Sequence, residues 1–67
     1  MEGRDASSGR EILFEFTALG RQMRVAAIDA KSGIEVVVIT PLTVSETQMK
    51  ALALAKLRRR LANTGDS

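Results

Sequence analysis

The side chains with the most chemistry to offer in this 67-residue sequence are a run of cations, Lys56-Leu-Arg-Arg-Arg60, and four carboxylates, Glu11, Glu15, Asp29 and Glu35. A basic run of this kind can contact phosphates of RNA or DNA, or an anionic membrane surface, which makes Lys56, Arg58, Arg59 and Arg60 the candidate anion contacts. The same cations in the last turns of a helix also complement its macrodipole and keep its surface solvated. No aromatic residue interleaves with them and no nucleic-acid-binding motif surrounds them, so the solvated helix face is the preferred reading. Paired carboxylates can do acid–base work or hold a hard cation. Here Glu11, Glu15 and Glu35 fall on short strand-like segments without a visible pocket, and Asp29 fits a turn-capping role, so charges that protect a sheet from edge pairing are the better account.

The sequence contains no cysteine and no histidine, which removes disulfides, thiolate or imidazole metal ligands and catalysis built on either side chain. Gly3, Gly9, Gly20, Gly33 and Gly65 are too dispersed for a phosphate loop, and no base accompanies the serines and threonines. No cofactor, metal or catalytic residue is expected, and an enzyme is the least favoured class. The net charge of +2 gives no general bias toward nucleic acid, but the basic excess gathers in the C-terminal third. No apolar run reaches the ~20 residues of a membrane span, and Met1 to Gly9 lacks the apolar stretch of a secretory signal. A cytoplasmic location follows as the expectation.

Positioning these groups falls to Val25–Ile39, two β-branched runs joined by a polar loop ending in Gly33. Before it, Arg10–Thr17 alternates, with Ile12, Phe14 and Phe16 on one face. Ala18–Arg21 reads as a turn, and a hairpin closing across Leu19-Gly20 pairs Phe16 with Met23, Phe14 with Val25 and Ile12 with Ala27. Asp29 and Ile34 flank a four-residue loop, with Asp29 bonding loop amides and Gly33 in a left-handed conformation. That arrangement sets Ala27 opposite Val36 and Val25 opposite Val38. Pro41 ends the third strand. Ser45-Glu-Thr-Gln48 is a capping box flanked by Val44 and Met49 at staple positions, predicting a helix from Glu46 to about Ala62, ended by Asn63 or Gly65. Its apolar stripe is Met49, Leu52, Ala53, Leu57 and Leu61, with Arg60 beside it extending its stem over apolar surface.

The fold class is therefore α+β, a three-stranded antiparallel β-meander followed by one C-terminal α-helix (βββα). It occupies residues 10–63, with disordered tails at 1–9 and 64–67. A chain this short buries only ~60% of the surface its unfolded form exposes, so its core needs reinforcement, and without disulfides or metal the remaining route is association. Leu13, Ala26, Ile28, Val37 and Ile39 make the second sheet face unusually apolar, and Ala51, Leu54 and Ala55 leave a small apolar flank on the helix. These eight residues are the expected homodimer interface. The short proline-containing connector also permits the helix to be exchanged between copies.

Arg10-Glu-Ile-Leu-Phe-Glu-Phe-Thr17, then Gly20 with Val25-x-Ala-Ile-Asp29, then Ser32-Gly-x-Glu35, resembles a family of very short uncharacterised alphaproteobacterial proteins. Some of these carry a hydroxymethyltransferase label that a chain of this size could not support. The resemblance covers residues 10–61, with Ala55-Lys-Leu57 matching the family's helix, while Arg58 to Arg60 departs from its pattern. It implies the bacterial fold above and no known activity. The function expected is a non-enzymatic homodimeric interaction module. The alternative is a weak, non-specific binder of nucleic acid or anionic surfaces through the basic helix.

Overall fold

The computed structural model describes residues 2–7 and 10–63. The chain runs through β1 (Glu2–Ser7), β2 (Arg10–Leu19), β3 (Gln22–Asp29), β4 (Glu35–Pro41) and α1 (Glu46–Asn63). The strands form one antiparallel sheet in the order β1-β2-β3-β4. The three-stranded meander and its following helix are thus present as β2, β3, β4 and α1. Glu2–Ser7 differs from the expected tail by pairing as a further strand along β2, from Glu2 opposite Glu15 to Ser7 opposite Arg10. Main-chain pairing with an open strand edge needs no apolar alternation, and this segment has none to read. Met1, Ser8, Gly9 and the expected tail at 64–67 lie outside the described residues.

The first hairpin is shifted by two residues from the expected register. Phe16 lies opposite Val25, Phe14 opposite Ala27, Ile12 opposite Asp29 and Ala18 opposite Met23. Leu19 and Gln22 are the last pair, leaving Gly20-Arg21 as a two-residue connection rather than a turn over Ala18–Arg21. Gly20 has φ +60°, the positive value that both favoured two-residue hairpin turns require at their first position. Turn geometry therefore selects the register. A shift of two leaves every side chain on its expected face, because strand alternation also has a period of two.

The second hairpin has the expected register, with Ala27 opposite Val36 and Val25 opposite Val38. Asp29 N–H donates to Ile34 O at 2.9 Å, and Gly33, at φ +78°, donates its N–H to Asp29 O at 2.8 Å. Asp29 Oδ2 accepts from Ser32 N–H (3.0 Å) and from the Ser32 hydroxyl (2.6 Å), whose oxygen in turn accepts from Ile34 N–H at 3.2 Å. Asp29 is completely buried at the end of β3, so its carboxylate is a structural part of this turn.

Helix α1 starts as its sequence dictates. Ser45 Oγ accepts from Gln48 N–H at 3.1 Å, satisfying one of the orphan amides of the first turn, while Met49 N–H bonds to Ser45 O. Val44 packs against the core beside buried Met49, completing the staple. The helix crosses β3 and β4 and buries Met49, Ala53, Leu57 and Leu61 against Ile12, Phe14, Val25, Ala27 and Val36. Full burial of a leucine such as Leu57 stabilises by about 1.5–3 kcal/mol. Leu52, expected in this stripe, is instead 49% exposed. Met49, Ala53 and Leu57 are spaced by four, and the contact line of a helix lying flat on a sheet is narrow enough to leave Leu52 on the flank.

Two outcomes are expected from chemical denaturation. Thr40 is buried with its Oγ1 unpartnered, so Thr40→Val, of nearly the same shape, should raise stability by about 1 kcal/mol, seen as a higher midpoint at unchanged slope. Asp29→Ala strips the acceptor from the Ser32 amide and should lower stability by about 1–3 kcal/mol.

Candidate functional site

With α1 on one side of the sheet, the other side carries Glu11, Leu13, Glu15, Thr17 and Leu19 from β2, Gln22, Arg24, Ala26 and Ile28 from β3, and Glu35, Val37 and Ile39 from β4. The pairing places Leu13 beside Ile28 and Ala26 beside Val37, with Ile39 one step further along β4. These five residues form a diagonal apolar band across the outer face. Leu13, Ile28 and Val37 are half-buried and Ile39 is 50% exposed, although no described element of this chain covers them.

Ala26 differs from the others in the band. It is fully buried in the single chain. Arg24 and Glu35 explain this, since their side chains approach to 4.0 Å across the rung that joins Ala26 to Val37. Both are well exposed, 39% and 45%, so the pair contributes at most about 1 kcal/mol and can open at little cost. Ala26 thus lies beneath a surface ion pair rather than at a free contact point.

The helix part of the expected interface is on the other side of the sheet. Ala51 and Ala55 are exposed, whereas Leu54 is half-buried and packs against the chain's own core. The eight residues therefore divide into two surfaces that the sheet separates. Leu13, Ala26, Ile28, Val37 and Ile39 share one face, and Ala51, Leu54 and Ala55 belong to the helix layer.

The cations do not act as one cluster. Lys56 Nζ donates to Val37 O at 2.6 Å, tying the helix to the sheet edge. Lys50 lies over the buried Phe14 ring, 5.5 Å from its centroid, on the β2 side of helix α1. Arg58, Arg59 and Arg60 are exposed along the last turns. Sequence reasoning missed both lysine roles. The available signal was their position, each adjacent to a core residue (Met49 and Leu57), where a long stem can flank the packed stripe.

The carboxylates do not converge either. Asp29 belongs to the helix-covered face, in register with Ile12, whereas Glu11, Glu15 and Glu35 lie on the outer face. Among the described residues no group of three or more acidic side chains could hold a metal ion. A pocket of about 400 Å³ opens beside the start of α1, lined by Phe16, Ala18, Met23, Val44, Glu46 and Met49. Among the described residues Glu46 is the one charged group in that lining, which offers no pair of groups for acid–base chemistry. No helix among the described residues is long and apolar enough to cross a membrane.

Residues 9–64 match the family described as domain of unknown function DUF6898, and the chain belongs to that family. No curated protein matches the chain. No solved structure matches it either.

The cation over Phe14 should be measurable. Lys50→Gln is expected to lower stability by about 0.5–1 kcal/mol, read as a drop in the denaturation midpoint.

Proposed function

We propose that this chain is a non-enzymatic interaction module that forms a homodimer by packing the outer faces of two sheets together. The observation that carries this reading is the diagonal band of Leu13, Ile28, Val37 and Ile39 on the sheet face opposite α1. Two such faces packed together make a sandwich, and sheets packed face to face cross at about 30°, so an oblique band is the right shape for continuous contact.

The energetics favour a modest affinity. Completing the burial of each of these four side chains is worth on the order of 1 kcal/mol, a sum over two copies on the same scale as the 4–15 kcal/mol cost of association. A weak dimer, populated only as the protein concentration approaches the millimolar range, is the consistent outcome. Arg24 and Glu35 would exchange their weak mutual contact for contacts across the interface, since their pair lies over the band. Helix exchange through the Leu42–Ser45 connector would keep the same core contacts and is compatible with this face-to-face assembly. The cytoplasm is the proposed setting. Binding of nucleic acid through the helix is less well supported, because Lys56 is already bonded to Val37 O.

Sedimentation equilibrium over a wide concentration range tests the reading. The wild-type chain should shift between dimer and monomer mass, and the double variant Leu13→Glu/Ile28→Lys, whose charges oppose each other across β2 and β3, should stay monomeric with its helical circular dichroism retained. A wild-type chain that remains monomeric at the highest concentration would overturn the homodimer.

A further inference from the structure

A second surface, distinct from the sheet face, lies along the outer edge of β4. The direction of its main-chain groups follows from two bonds: Asp29 N–H donates to Ile34 O, and Leu42 N–H donates to Arg21 O at 3.2 Å. Residues 34 and 42 therefore turn their main chain toward β3. In an antiparallel strand the N–H and C=O of one residue point the same way and successive residues alternate. Glu35, Val37, Ile39 and Pro41 consequently point their main-chain groups outward, away from the sheet.

An edge of this kind is a template for another strand, but much of it is closed. Pro41 has no N–H, and its carbonyl accepts from Val44 N–H at 3.2 Å. At the middle of the strand, Val37 O is occupied by the Lys56 ammonium. Lys56 is exposed and could be solvated freely, yet its side chain turns back onto the main chain of the edge. Among the described residues, what remains open is the outward groups of Glu35 and Ile39 and the N–H of Val37. Ile39, 50% exposed, is an apolar residue of the edge itself that would favour an added strand.

We infer that the β4 edge is a strand-pairing surface for a second copy of this chain, and that Lys56 controls it by occupying Val37 O. A second β4 fits the edge by two-fold symmetry. Registered on Val37, it sets Val37 against its equivalent and Glu35 against Ile39, so no like charges meet on adjacent strands. The pairing requires Val37 O of each copy for its central hydrogen bonds. Lys56 withholds that acceptor, and the two-fold axis brings the two Lys56 ammonium groups close together, adding repulsion. Lysine at a sheet edge is a recurrent way to keep strands from pairing. Here its target atom can be named. With the edge closed, association is left to the sheet face, so the inference concerns a different surface from the face-to-face dimer and does not depend on it.

The test uses Lys56→Met, which keeps the apolar stem and removes the donor, with Lys56→Leu as a second variant without a donor and Lys56→Arg as the control that keeps one. All are made in the full chain carrying Leu13→Glu and Ile28→Lys, so that face packing does not contribute. Sedimentation gives the mass, and amide hydrogen exchange gives the site. The Met and Leu variants should form a dimer in which the Val37 and Ile39 amides exchange at least about tenfold more slowly than in the Lys56 parent, increasingly so with concentration. The Arg control should stay monomeric. Monomeric Met and Leu variants, or a dimer in which those two amides are not protected, would overturn the inference.

Discussion

A single helix can cover one side of a sheet, and this constraint shapes the rest of the molecule. The meander of β2, β3 and β4 presents apolar side chains on both faces, but α1 lies across β3 and β4 on one of them. Burial of Phe14, Val25 and Leu57 beneath the helix forms the core. The opposite face keeps its apolar band with nothing from the described residues above it. In a larger domain a second layer would sit there.

The covering is also incomplete laterally, and two lysines act at its margins. Toward β2, Lys50 extends over the Phe14 ring and places an ammonium where another apolar side chain would otherwise be needed. Toward the outer edge, Lys56 reaches beyond the core line to Val37 O. Both combine a stem that extends the apolar contact of the helix with a charged end that remains near water. This explains why a helix rich in cations can lie against a small core without burying a charge. It also removes Lys56 from the group of side chains free to meet an anion.

The turns depend on a different kind of interaction. Asp29 is a charged residue in the most buried class, yet its Oδ2 accepts two hydrogen bonds from Ser32, which offset its loss of hydration. Gly20 and Gly33 provide the positive φ values at the two hairpins. Thr40 has no such compensation for its hydroxyl, a small local deficit in an otherwise well-satisfied sheet.

Much of this fold was legible in the residues. The Ser45 cap of the helix, the alternation of Ile12, Phe14 and Phe16, and the loop from Asp29 to Gly33 are local signals. Each was realised because the forces involved act over a few residues. The family assignment adds no activity to that reading. The sequence by itself determined which faces are apolar and where the helix begins, since alternation and capping are properties of neighbouring residues. Tertiary structure decided the first hairpin register, because shifts by two preserve the pattern and only turn geometry separates them. It also decided the pairing of β1, the exposure of Leu52 and the tasks of Lys50 and Lys56. Those depend on where the helix comes to rest on the sheet, a long-range packing outcome that no local spacing encodes.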